Sequence, residues 1–362
     1  MIVRRWVRLR WLAACFAAAL LTGICSGGDL IIRLMAPSYD ETVVKLKGRL
    51  VDHTFNGEVD RRFYSPALEE KRDLYVYLPP GYTPARQYPL LLWLHGFAQD
   101  ERNLFPVAET FDRAICQGQL PPMIIATPDG SIMGRPSFNR SGSFYINSKA
   151  GNFEQYLAND VWNFLNRHYS IHPDREAHLI SGASMGGFGS VNHAFKYRHR
   201  FGTILSLMPP LNLRYADCRG RYGEDYDPDC VSFRERLRPH TPLARFGGVV
   251  VIRQRQLSGP LFGIGRPAVE RTAEENPIEM IDRLRIQPNE FHFFIGFGTR
   301  DEFNLDAQCE HFIDVAHKRG IGMTVVRVHD GKHDMETARE CLPAIIRFLQ
   351  PILEPYRVPL TP

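Results

Sequence analysis

The chain has 362 residues, 44% of them hydrophobic, and a formal net charge of +4. That much apolar material supports a large core and excludes a disordered polyelectrolyte. The positive excess sits in Arg4, Arg5, Arg8 and Arg10, ahead of the first acidic residue, Asp29; beyond it the charges balance, so composition gives no support for a nucleic-acid surface.

After those arginines comes an apolar run from Trp11 to about Ile24, then the small residues Ser26, Gly27 and Gly28. This is the pattern of an export signal. Residues 1–28 are expected to act as a signal peptide or, uncleaved, as an N-terminal membrane anchor, which makes the protein periplasmic or extracellular. The run is shorter than the roughly 20 apolar residues of a spanning helix. Cys15 and Cys25 lie inside it. In an oxidising compartment Cys218 and Cys230 could close a local loop, and Cys309 and Cys341 could join two C-terminal helices; buried reduced thiols are equally compatible with the sequence.

Residues 29–40 read as a linker, followed by one α/β domain over 41–355. Residues 45–53 and 62–65 alternate like antiparallel strands, and 73–78 forms a further strand that ends at Pro79-Pro80-Gly81. Residues 88–94 are nearly all apolar, as in a strand buried on both faces, and end in His95-Gly96-Phe97-Ala98-Gln99-Asp100. A helix over 106–117, a strand over 123–127, a polar loop over 131–148 and an amphipathic helix over 153–169 follow.

Next comes the strand Ala177-His178-Leu179-Ile180-Ser181, which runs into Gly182-Ala183-Ser184-Met185-Gly186-Gly187 and then a helix. Strand, Gly-x-Ser-x-Gly turn and helix form the context of a nucleophile elbow, so Ser184 is the candidate nucleophile. Strands are then expected over 203–208, 291–297 and 323–328, with helices over 278–284, 306–319 and 336–349. Alternating strands and helices imply a mainly parallel sheet whose site lies beyond the strand C-termini.

The stretch 211–290 is the least regular and reads as a cap-like insertion, with a strand or hairpin over 247–255. It holds thirteen arginines, no lysine and twelve acidic residues, which predicts a solvated, salt-bridged cap rather than a polyanion site. Asp225, Asp227 and Asp229 alternate but lack the turn glycine and closing glutamate of a calcium loop, so no metal is expected.

A serine hydroxyl needs a base to take its proton, and the base needs an acid on its other ring nitrogen. Asp301 and His333 fall after later strands, in the order serine, acid, histidine that accompanies this elbow. His329 competes for the role of base but sits closer to its strand. Glu302 and Asp306 look like helix N-terminal acids. The backbone N–H group of Phe97 is the expected oxyanion donor.

Leu94-His95-Gly96, Pro128-Asp129-Gly130, Gly182-Ala183-Ser184-Met185-Gly186-Gly187, Gly298-Thr299-Arg300-Asp301 and Gly331-Lys332-His333 resemble the esterase family of α/β-hydrolases. That family includes feruloyl and acetyl xylan esterases, enterochelin esterases, S-formylglutathione hydrolase and the antigen 85-type mycolyltransferases. The resemblance implies a nucleophile at Ser184, an acid at Asp301, a base at His333, oxyanion donors near Phe97 and Met185, and no cofactor. The histidine motif departs from the family in lacking a second glycine and a downstream tryptophan. The expected activity is hydrolysis of acyl esters of carbohydrates or similar alcohols. The alternatives are acyl transfer to a sugar hydroxyl and a non-catalytic binding protein on the same fold.

Overall fold

The computed structural model describes residues 38–135, 142–246, 250–257, 259–263 and 265–357. The expected signal and nearly all of the expected linker lie outside the described residues, as do 136–141 of the polar loop and 247–249 of the expected hairpin.

Eight strands make the central sheet: β1 (Arg49–His53), β2 (Leu74–Leu78), β3 (Leu90–Leu94), β4 (Ile124–Pro128), β5 (His178–Ala183), β6 (Thr203–Leu207), β7 (His292–Gly298) and β8 (Thr324–Val328). Their order is β1-β2-β4-β3-β5-β6-β7-β8, and only β2 runs against the rest. β2, β3, β4 and β6 are buried at every position, which is why they read as continuous apolar runs rather than alternating ones.

The labelled helices are α1 (Tyr39–Lys45), α2 (Leu104–Cys116), α3, α4 (Met185–Lys196), α5 (Arg266–Glu275), α6 (Pro277–Arg283), α7 (Leu305–Lys318) and α8 (Met335–Leu353). Helix α3 runs from Phe153–Gln155 through a π-helical turn at Tyr156–Val161 into Trp162–His168. Phe293 of β7 meets Phe195 of α4 and Phe312 of α7, whereas its neighbour Phe294 meets Phe348 of α8. Successive strand residues point to opposite faces, so α4 and α7 cover one face and α8 the other.

That arrangement corrects the second cysteine pairing. Cys309 is on α7, where its thiol donates to the Pro209 carbonyl, and Cys341 is on α8 against Gly296. Both are buried free thiols separated by the sheet. Cys218 and Cys230 do form a disulfide.

The N-terminal boundary also shifts. Residues 39–45 are helical, and the strand begins only at Arg49. Ser38 and Glu41 form a reciprocal capping box, with the Glu41 N–H on Ser38 Oγ at 3.2 Å and the Ser38 N–H on Glu41 Oε2 at 3.3 Å. Tyr39 then stacks on Tyr75 at 5.8 Å, fixing the helix to the sheet. Residues 63–65 pair with 70–72 in a separate hairpin rather than joining the sheet.

The insertion leaves the sheet after β6 and returns before β7. It contains the hairpins Tyr215–Asp217 with Val231–Phe233 and Pro242–Phe246 with Val250–Arg253, then short helical turns, α5 and α6.

Candidate active site

β3, β5, β6, β7 and β8 are mutually parallel, so the segments that follow them emerge on one edge of the sheet. Ser184 follows β5 at the turn into α4, with φ 55° and ψ −118°. A non-glycine residue is held there only by its surroundings. The Ser184 N–H donates to the Leu207 carbonyl at 2.8 Å, and its carbonyl accepts the Phe188 N–H at 2.9 Å. The flanking glycines permit the turn: a Cβ on Gly182 would stand 2.5 Å from the Leu94 carbonyl oxygen, and one on Gly186 only 1.9 Å from it.

Asp301 follows β7 and His333 follows β8. His333 Nδ1 lies 2.7 Å from Asp301 Oδ2, and His333 Nε2 lies 2.9 Å from Ser184 Oγ. The other Asp301 oxygen accepts the Phe303 N–H at 2.8 Å, so the buried carboxylate is bonded on both sides. Burial pulls the His333 pKa down, but the Asp301 charge and hydrogen bond outweigh it and leave the group above its ordinary 6.5. Its tautomer is then defined: Nδ1–H donates to Asp301, and Nε2 accepts the serine proton. His329 points away, with a side chain 91% exposed and paired to Asp330.

The two loops carrying Asp301 and His333 meet backbone to backbone. A Cβ on Gly298 would stand 2.3 Å from the carbonyl carbon of Gly331, and one on Gly331 would stand 2.9 Å from Gly298 Cα. The Arg300 N–H donates to the Gly331 carbonyl at 2.9 Å, and Thr299 Oγ1 accepts the Asp330 N–H at 2.9 Å. Glu302 does not cap a helix, because α7 starts at Leu305. Its carboxylate accepts the His333 N–H at 2.9 Å, tying the His333 backbone to the loop that carries Asp301. Asp306 does lie in the first turn of α7.

Phe97 and Met185 come together beside Gly142, where an added Cβ would meet the Phe97 ring at 2.2 Å and Met185 Sδ at 3.0 Å. Neither backbone N–H has an acceptor among the described residues, so both can serve an external oxygen. The turn is built from beneath. Gly96 N–H donates to Gln99 Oε1 at 2.8 Å, His95 Nδ1–H to the Gly96 carbonyl at 2.9 Å, and the Gly130 N–H to His95 Nε2 at 2.8 Å. Tyr145 donates its hydroxyl to the His95 carbonyl at 3.1 Å. Deeper in, the fully buried Arg72 bridges Asp129 at 3.4 Å and the Ser131 carbonyl, and lies over the Phe153 ring at 5.1 Å.

The acid loop has a second brace that local motifs do not reveal. Tyr222 donates its hydroxyl to the Phe303 carbonyl at 2.5 Å and accepts from Gln308 Nε2 at 2.9 Å, while Asn304 Nδ2 donates to the Tyr222 carbonyl at 2.8 Å. Phe303 in turn stands edge-on to His333 at 4.9 Å. Tyr222 lies inside the loop closed by Cys218–Cys230, whose sequence separation is 12. Replacing both cysteines with serine should lower stability by about 2–3 kcal/mol, read from denaturant midpoints. It should also lower kcat several-fold, because the loop that steadies Phe303 and Asn304 loosens. An unchanged kcat in the folded double variant would separate this loop from the acid.

A sequence model of the family described as "Putative esterase" matches residues 65–346. Among curated proteins, Esterase Rv1288 of Mycobacterium tuberculosis is 28% identical over 158 residues, 42% of this chain and 32% of its own length. The chain thus matches about a third of that relative. Among solved structures, a ferulic acid esterase superposes with a TM-score of 0.61 at 19% identity, covering 85% of this chain and 99% of that one. An S-formylglutathione hydrolase from Agrobacterium tumefaciens superposes at 0.59 with 15% identity, covering 85% and 96%. These likenesses establish the α/β-hydrolase fold.

Proposed function

The chain belongs to the esterase family, and from that premise we propose that it is a serine carboxylic-ester hydrolase acting on acyl esters of carbohydrates or similar alcohols. The observation that carries the reading is the unbroken hydrogen-bond chain Asp301–His333–Ser184 at a positive-φ elbow. His333 Nε2 takes the proton as Ser184 Oγ attacks the ester carbonyl. The N–H groups of Phe97 and Met185 receive the oxyanion, each worth about 2.7–4 kcal/mol in such a site. Collapse expels the alcohol, which takes the proton from His333, and water repeats the steps on the acyl-enzyme. Asp301 holds the imidazole tautomer and stabilises its cation.

The substrate class is supported by the likeness to a ferulic acid esterase fold. Export is supported by the arginine-rich, apolar N-terminal pattern and by a disulfide of the kind that persists in oxidising compartments. The direct test is labelling with a fluorophosphonate and mapping the modified peptide: label on Ser184 supports the reading, and label elsewhere or none overturns it.

The acid limb of the pH profile tests the base. Because His333 must be neutral to accept a proton and its pKa is raised, kcat/KM for a neutral ester should rise with pH and level off through a midpoint above 6.5. In Asp301→Asn the two strongest raising contributions are lost, leaving burial opposed by Glu302 and Asp334, and the midpoint should move down from that of the parent. A wild-type profile with no acid limb between about pH 5 and 8 would remove His333 from the role.

A further inference from the structure

One loop beside the nucleophile is held in a conformation its residues resist. Phe144 and Tyr145 sit consecutively at φ 52° and 57°, in the left-handed region that bulky side chains rarely enter, so their surroundings have to keep them there. The sequence reads 131–148 as a polar loop, yet Tyr145 within it is 0% exposed. Ser143 Oγ accepts the Tyr145 N–H at 3.1 Å and donates to the Gly130 carbonyl at 2.5 Å. From the other side His193 donates its Nε2–H to the Tyr145 carbonyl at 2.8 Å. Burial pulls the His193 pKa down to about 4, so that ring is neutral.

The strained backbone sets one aromatic ring between three parts of the site. A Cβ on Gly130, after β4, would stand 2.2 Å from Tyr145 Cε1, and one on Gly189, in α4, 2.7 Å from its Cδ2. With glycine at both positions, the ring lies between the loop after β4 and the helix that follows Ser184. Its hydroxyl reaches the His95 carbonyl at 3.1 Å. Burial, with the Asp129 charge, pushes that hydroxyl well above the ordinary tyrosine range, so it stays protonated and donates.

The His95 carbonyl belongs to the peptide unit just before the one that bears the Phe97 N–H. The His95–Gly96 peptide is gripped at both ends, its carbonyl by Tyr145 and its N–H by Gln99 Oε1 at 2.8 Å. In the next peptide, the Gly96 carbonyl accepts His95 Nδ1–H at 2.9 Å and the Gln99 N–H at 3.2 Å. A trans peptide aims its N–H opposite its carbonyl, so these bonds fix where the Phe97 N–H points. Gly96 itself abuts the elbow, where a Cβ would stand 3.4 Å from the Ala183 carbonyl oxygen.

We propose that Tyr145 is a positioning residue for the oxyanion turn: its hydroxyl, with Gln99 at the opposite end, sets the plane of the His95–Gly96 peptide and through it the aim of the Phe97 N–H. The proposal rests on the ester-hydrolase reading and adds to it a residue that acts through the backbone. A donor aimed beforehand at the developing oxyanion serves the transition state more than the bound ester, so a tilt costs rate rather than binding.

Tyr145→Phe keeps the ring between Gly130 and Gly189 and deletes only the hydroxyl. On 4-nitrophenyl acetate its kcat should fall about tenfold, the equivalent of one buried hydrogen bond, with KM within about twofold of the parent. An aryl trifluoromethyl ketone, which Ser184 Oγ would convert to a tetrahedral oxyanion, should lose affinity by the same factor. The pH midpoint assigned to His333 should stay where the parent has it, because the bond between His333 and Asp301 is untouched. Gln99→Met, which strips the grip on the Gly96 N–H, should give the same pattern and carries the test if Tyr145→Phe does not fold. A folded Tyr145→Phe with the parent's kcat and inhibitor affinity overturns the proposal, whatever its melting temperature. So does a rise in KM alone, or a rate loss that comes with a moved pH midpoint. A parent protein that neither hydrolyses the ester nor takes the fluorophosphonate label overturns the ester-hydrolase reading instead.

Discussion

Ser184→Ala should lower kcat on a 4-nitrophenyl ester by about 10⁴- to 10⁶-fold, leaving only what the oxyanion donors and binding supply. The loss is that large because the hydroxyl oxygen is the bond-forming atom, and among the described residues no other side chain shares its contact with His333 Nε2. The fold should survive, since the elbow is set by backbone contacts to Leu207 and Phe188 that alanine keeps. Ser184→Gly sharpens the point. At φ 55° a side chain costs on the order of 1–3 kcal/mol, so the glycine variant should be equally inactive and at least as stable as the parent in a thermal melt. If either variant kept more than about one part in a hundred of the parent turnover, the nucleophile assignment would fail.

The second large effect separates two histidines four residues apart. His333→Ala should cost about 10⁴-fold or more in kcat, and Asp301→Asn about 10⁴-fold through loss of the correct tautomer. His329→Ala should change kcat by less than about twofold, because among the described residues its exposed ring pairs only with Asp330. Steady-state kinetics on the three variants checks all of this, and a greater loss at His329 than at His333 would move the base.

The meeting of Ser184, Asp301 and His333 was legible because each residue lies in local chemistry at the end of a strong apolar strand. Gly182 and Gly186 announce the close backbone approach, and the strands at 292–298 and 324–328 announce where Asp301 and His333 must emerge. What the sequence concealed depends on distance. Tyr222 reaches the acid loop from the insertion, and nothing near it in the chain signals that its hydroxyl will meet the Phe303 carbonyl. Glu302 looked like a helix acid because its contact with the His333 N–H joins segments 31 residues apart. Cys309 and Cys341 were plausible partners only until α7 and α8 were placed on opposite faces of the sheet. The helix at 39–45 is a different case: Ser38 and Glu41 spell a capping box that local reading could have used, and the apparent alternation across 45–53 masked it. Counting charges over the whole insertion hid their segregation, because the arginine excess at 231–258 is cancelled on paper by the acidic stretches on either side of it.

The contact between Gly298 and Gly331 limits how this scaffold can vary. With only hydrogen on either α-carbon, the spacing between the segments bearing Asp301 and His333 is a single allowed value rather than an adjustable one. Saturation libraries at these two positions, selected for turnover, should return glycine alone, whereas the neighbouring exposed Arg300 should accept many replacements. The alignment of Asp301 and His333 is thus inherited as a fixed part, and divergence towards new esters should come from the insertion that braces their loop through Tyr222.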